Sequence, residues 1–207
     1  MNSQAEPTSF AFDEQAEADV VAAIARYPVG RQASAVMPLL HIAQRQMQRH
    51  TGAAWVPRVA MDVIAKRLGM APVRVYEMVT FYLMYNTRPV GKYHLQVCTT
   101  TPCWLRGSDE VVSACKKAAG IRAFGETSAD GLFTLTEVEC LGGCVNAPIL
   151  QINDDYYEDL NGERTESLLA GLKAGGDLPP PGSSIGRHGS EPEGGRTVLL
   201  ATPSAGG

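Results

Sequence analysis

The sequence has no run approaching about 18 uninterrupted apolar residues, the length a helix needs to cross a bilayer, so no transmembrane helix is expected. Its first 19 residues hold no lysine or arginine, while Glu6, Asp13, Glu14, Glu17 and Asp19 are acidic. A secretory signal needs a basic start and an apolar run, and a mitochondrial transit peptide is Arg-rich and poor in acid. Neither fits, and a cytosolic protein or a mature form is expected. No excess of positive charge exists, since the net charge is −4, so nothing points to nucleic acid. No glycine-rich phosphate loop follows a strand-like stretch, which argues against dinucleotide binding by this chain alone. The C-x2-C pair of thiol–disulfide enzymes is missing too. No internal repeat is found.

What is present is enough for a real core. The chain has 207 residues and is 44% hydrophobic, which suits one domain with added elements or two small ones. Its charge is uneven. Residues 1–92 hold ten Lys/Arg and seven Asp/Glu, a balance of +3, whereas residues 93–207 hold eight and fifteen, a balance of −7. An acidic second half suits either a positively charged partner surface or ordinary solubility.

Residues 13–85 have helical patterning. Asp13 to Arg26 carries Val20, Val21 and Ile24, and Pro28 ends it. Ser34 is the expected cap of a second helix running to about His50, with Val36, Leu39, Leu40, Ala43 and Met47 on one side. Pro57 is placed in the first turn of a third helix that stops at Gly69, and a fourth begins near Pro72. After a linker at Asn86–Pro89 the pattern changes. Tyr93–Val97 is an expected strand, Ser108 the expected cap of a helix ending at Gly120, and Phe133–Glu139 alternates as a half-buried strand does. Ile149–Ile152, a turn at Asn153-Asp154 and a helix capped by Thr165 complete a β-α-β-β-α order, a small mixed sheet covered by helices. From Gly175 onward, Pro179 to Pro181 and many glycines argue against a packed core. The fold class is α+β, divided as a helical bundle over 1–88, a mixed-sheet domain over 89–175 and an extended arm over 176–207.

Five cysteines lie in the acidic half. Cys98 and Cys103 form C-x4-C, and Cys140 and Cys144 form C-x3-C. Each pair directly follows an expected strand, so two loops at one end of a sheet can bring four thiolates together. In a reducing cytosol such clusters are ligands more often than disulfides. Spacing alone leaves both tetrahedral zinc and an iron–sulfur cluster open. Gly142 and Gly143 let backbone amides approach sulfur, Thr99, Thr100 and Thr101 offer hydroxyls, and Pro102 and Pro148 stiffen the loops. These loops favour iron–sulfur. Glu137 and Glu139 precede Cys140, and like charge disfavours adding an electron, so a low reduction potential is expected. Cys115 falls on the apolar face of its helix and is expected to be a structural thiol.

Other candidates have plainer readings. Tyr76, Phe81, Tyr82 and Tyr85 suit core or interface packing. His41, His50, His94 and His188 show no ligand spacing. Asp154, Asp155, Glu158 and Asp159 suit a solvated hairpin face better than a cation site.

The run from Tyr93 to Cys103, the run from Glu137 to Pro148, and Arg74-Val75-Tyr76-Glu77 with Thr80-Phe81-Tyr82 carry a resemblance. They are similar to the thioredoxin-like [2Fe–2S] subunit of NADH:quinone oxidoreductase, respiratory complex I. The resemblance spans about residues 20–200, and position 143 is Gly where relatives often carry Ala. It implies a helical bundle followed by a thioredoxin-like ferredoxin domain. It also implies that Cys98, Cys103, Cys140 and Cys144 ligate one [2Fe–2S] cluster. The implied partner is the larger subunit that binds FMN and NADH, followed by the rest of the peripheral arm, with one electron passing from reduced flavin. The implied location is the cytoplasmic face of a bacterial inner membrane, or the matrix side in a mitochondrion, without insertion of this chain. Residues 186–197 resemble the C-terminal extension of such members, which makes the tail an arm embracing the flavin subunit.

Overall fold

The computed structural model describes residues 6–195, 197 and 198. The chain divides between Lys92 and Tyr93 into two compact units, each with its own core. The expected break after residue 88 falls in the segment joining them in sequence.

The first unit is helical: α1 (Glu14–Ala25), α2 (Val36–Thr51), α3 (Arg58–Leu68) and α4 (Pro72–Phe81). Asp13 caps α1, its carboxylate accepting the Ala16 N–H at 2.8 Å. The expected cap of α2 is not found. Ser34 lies within a 3-10 turn, Gln32–Ala35, that leads into the helix without a side-chain cap. Pro57 sits one position earlier than expected, at the N-cap of α3, where its extended backbone (ψ 154°) feeds the helix. Pro72 is in the first turn of α4, as its fixed φ favours. Val20, Leu39, Leu40, Ile64, Val75 and Val79 fill the core. Gln46 is buried within this unit and makes two bonds to the incoming chain, donating to the Ala11 carbonyl at 2.8 Å and accepting the Asp13 N–H at 3.0 Å.

The second unit is a five-stranded sheet with helices. Its elements are β1 (Tyr93–Cys98), α5 (Thr101–Leu105), α6 (Ser108–Ala119), β2 (Phe133–Val138), β3 (Leu150–Ile152), β4 (Asp155–Glu158), α7 (Gly162–Lys173) and β5 (Gly182–Ser183). The strand order is β2-β1-β3-β4-β5. β1 runs parallel to β2 and antiparallel to β3, so the sheet is mixed. Every residue of β1 is buried, as expected of a strand with neighbours on both sides. Leu95, Phe133, Leu135, Leu150, Ile152, Leu169 and Leu172 form the core, and α6 packs against both α7 and β1.

Two caps differ from expectation. Gly107, at φ +96°, leads into α6, and the Ser108 hydroxyl is buried without a partner among the described residues. Asn161 caps α7 by accepting the Arg164 N–H at 2.9 Å, while Thr165 lies one turn in and donates to the Asn161 carbonyl. The tail is the larger difference. Its composition predicts no packed structure, yet β5 joins the sheet edge parallel to β4, and the Tyr157 hydroxyl donates to the Pro179 carbonyl at 3.0 Å.

Candidate metal centre

Two parallel strands deliver the cysteines. β1 and β2 run in register, with Cys98 opposite Val138 at their C-terminal ends, so the loops that follow leave the sheet together. Cys98 ends β1 and Cys103 lies in α5, a five-residue helix that the sequence pattern does not announce. Cys140 follows β2 by two residues, and Cys144 opens a 3-10 turn, Cys144–Asn146, that is equally unannounced. Cys98 and Cys103 are buried, Cys144 is half-buried and Cys140 exposed; all four are free thiols.

The structure places both pairs in or after the C-terminal ends of β1 and β2 and leaves the fifth cysteine in α6. The Cys140 and Cys144 sulfurs are 3.4 Å apart, well beyond the ~2.05 Å of a disulfide. Cys98 and Cys103 shift each other's ionisation, and the charge of Cys144 raises that of Cys103. Cys115 is wholly buried in α6, and burial alone pushes its thiol up to about 12. It remains a protonated packing group at neutral pH.

The pairing bears on which metal group fits. A single tetrahedral ion needs its donors drawn around one point. The Cys140 and Cys144 sulfurs touch, and Cys98 and Cys103 influence each other's ionisation as a second pair, with Cys144 acting on that pair through its charge. Four thiolates arranged two by two suit a two-iron cluster.

The surroundings favour the thiolate form at Cys98. Burial raises its pKa, but the Leu141 and Thr100 amides, the Cys103 thiol and the Thr100 hydroxyl outweigh it and hold the thiol below its usual value. Cys103 is raised, by burial first and then by the bond to Cys98, with the Ile149 amide acting the other way. Cys144 is raised by its bond to Cys140 and then by burial.

Several expectations about the loops change in detail. The amides that act on Cys98 and Cys103 are those of Leu141, Thr100 and Ile149, not of the two glycines. Gly142 supplies a left-handed turn at φ +86°, whereas Gly143 has an ordinary backbone, and a Cβ there would collide with Ile149 Cδ1. The Thr99 hydroxyl donates to Glu137 at 2.7 Å and the Thr100 hydroxyl to Glu139 at 3.0 Å. Thr100 also lies within reach of Cys98, and its single proton serves one acceptor at a time. Both carboxylates therefore lean over the loop that carries Cys98.

Beyond the cysteines the structure adds supports with no signal in the sequence. The Tyr156 hydroxyl donates to the Leu141 carbonyl at 3.0 Å, and the Cys98 amide to the Ile149 carbonyl at 3.2 Å. The acidic hairpin is not the uniformly solvated face that its sequence suggests, because Asp159 is buried and ion-paired with Arg187 of the tail at 2.9 Å. His94 is buried as well, with Nε2 2.8 Å from the Thr136 hydroxyl.

Residues 20–173 match the model of the thioredoxin-like [2Fe–2S] ferredoxin family. The chain belongs to this family. Among relatives of this ferredoxin, the E subunit of the NADH-quinone oxidoreductase of Rickettsia typhi is 49% identical over 169 residues, covering 82% of this chain and 96% of that one. The mitochondrial NADH dehydrogenase [ubiquinone] flavoprotein 2 of Dictyostelium discoideum is 44% identical over 199 residues, covering 96% of this chain and 77% of that one. Among solved structures, an NAD+-reducing [NiFe]-hydrogenase shares the fold with a TM-score of 0.56 at 18% identity, over 68% of this chain and 23% of the hydrogenase chain. No helix among the described residues is long and apolar enough to cross a membrane.

Proposed function

We propose that this ferredoxin is the electron-transfer subunit of an NADH:quinone oxidoreductase of the complex I type, with Cys98, Cys103, Cys140 and Cys144 as the ligands of its cluster. The observation that supports the ligand assignment is that both cysteine pairs leave the same end of the paired strands β1 and β2, with the Cys140 and Cys144 sulfurs 3.4 Å apart. The near-half identity to the Rickettsia relative across almost its full length supports the assembly. The cluster supplies a one-electron donor and acceptor. Buried Cys98 and Cys103, together with the more accessible Cys140 and Cys144, would hold it through their sulfurs.

The electron is exchanged with FMN on a partner subunit that also binds NADH. No complete active site is proposed for this chain, and quinone reduction and proton translocation belong to other subunits of such an enzyme. The chain sits peripherally, on the cytoplasmic side of a bacterial inner membrane or the matrix side in a mitochondrion, and those subunits hold it there. Exposed Trp104 and Leu105 beside Cys103, and Val145 beside Cys144, suit burial against such a partner.

Anaerobic co-purification followed by an NADH titration read by EPR tests this. The flavin- and NADH-binding subunit is expected to co-purify. NADH is expected to generate the reduced-cluster signal only when that subunit is present. A chain that purifies without a flavoprotein, or that NADH reduces on its own, would contradict the proposal.

A further inference from the structure

We infer that the tail is a clasp on the cysteine loop, and that Arg187 is the positioning residue that closes it. The inference rests on Cys144 being a cluster ligand. It concerns how this chain holds that ligand, not what the tail does toward a partner.

Residues 145 and 146, directly after Cys144, are gripped from the tail side. The Arg187 Nη1 donates to the Val145 carbonyl at 3.2 Å and to Asp159 Oδ1 at 2.9 Å, while its Nε donates to the Glu191 carbonyl at 2.7 Å. The Asn146 side-chain amide donates to the Gly189 carbonyl at 2.8 Å and to Glu158 at 2.6 Å. The Asp159 amide donates to the Asn146 carbonyl at 2.7 Å. The same Asp159 accepts from the Ser183 hydroxyl at 2.6 Å, and its carbonyl from the Ser184 hydroxyl at 2.7 Å. Asp159, directly after β4, thus ties two other segments to it: its backbone amide holds the 3-10 turn of Cys144, and its buried carboxylate and its carbonyl hold the tail.

Burial sets the strength of this tie. The side chains of Arg187 and Asp159 are 7% and 2% exposed, whereas the other ion pairs found among the described residues are far more open. An exposed pair contributes little, but removing one member of a buried pair leaves the other charge desolvated and unmatched. Arg187 also spans more than Asp159. Its planar fork reaches a loop carbonyl and a tail carbonyl in one geometry, which a lysine point charge cannot reproduce. Groups that orient a ligand loop in this way typically change metal retention when removed. A second clip, from Arg106 after α5 to Glu193 at 3.1 Å, brings the tail past the other cysteine loop, but it is exposed and adds less.

The test uses the full chain carrying its cluster, with Arg187→Gln, Arg187→Lys and, as a control, Leu172→Ala in the distant core. Iron release to a ferrous chelator, the EPR spectrum of the reduced protein and the melting temperature are measured for each. Arg187→Gln is expected to speed iron release about tenfold or more and to alter the EPR spectrum. Arg187→Lys is expected to fall between it and the parent. Leu172→Ala is expected to lower the melting temperature with an unchanged spectrum. Should Arg187→Gln fail to fold, the lysine variant alone decides, through its release rate and spectrum. Parent-like release and spectra in the arginine variants, or the same changes in Leu172→Ala, would overturn the inference. A Cys144→Ser chain that keeps the parent's cluster and spectrum would instead overturn the ligand assignment on which it rests.

Discussion

At the scale of the residue, the site is decided by small steric and electrostatic differences. Gly143 makes room for Ile149 and needs no unusual backbone. Gly143→Ala is therefore expected to cost about 1 kcal/mol through a forced shift of Ile149, and Ile149→Val in the same chain to recover most of it. Thermal unfolding of the two single variants and the double variant checks this. Glu139 accepts from Thr100 beside Cys98. Glu139→Gln is expected to raise the midpoint potential by a few tens of millivolts, because a nearby negative charge disfavours the added electron; potentiometric EPR would show no shift if that charge were fully screened. His94 gives a pH dependence. Burial lowers its pKa from 6.5 to about 4, so the folded state keeps it neutral while the unfolded chain takes up a proton below 6.5. Stability is thus present above pH 6.5 and lost as the pH falls toward 4, by about 3 kcal/mol in all. Denaturant titrations of the parent and of His94→Gln, whose slope should be flatter over that window, test it.

At the scale of the element, the sequence was most legible where apolar periodicity and breakers agree. Gly52, Gly69 and Gly120 end their helices in the left-handed conformation that L side chains resist. Caps were less legible, since Ser34, Ser108 and Thr165 are good cap residues by type but lie inside turns or helices already begun. Asn161 does that work for α7, and Asn161→Ala is expected to cost about 1 kcal/mol of stability, read from chemical denaturation. The two short elements that carry Cys103 and Cys144 were invisible because a single turn leaves no periodicity to detect. Their cysteines were still legible as chemistry. The supports around them were not, because an arginine in a glycine-rich tail and one aspartate in an acidic hairpin look like solvated charge until the fold buries them together.

At the scale of the whole molecule, two cores share one chain, and all four candidate ligands lie in the second unit. That unit brings together its sheet, its cysteine loops and the described part of its tail. A chain beginning at Tyr93 is therefore expected to fold and to show the absorption spectrum of the full protein after reconstitution, whereas one that stops at Gly175 should bind iron less durably. The central claim is that Cys98, Cys103, Cys140 and Cys144 hold one [2Fe–2S] cluster. It is tested most directly by iron, zinc and acid-labile sulfide analysis of the anaerobically purified chain beside its Cys98→Ala, Cys144→Ala and Cys115→Ala variants. The expected result is about two irons and two sulfides per chain in the parent and in Cys115→Ala, and loss of both in the other two. A colourless parent holding one zinc, or a full cluster surviving in Cys98→Ala and Cys144→Ala, would contradict it.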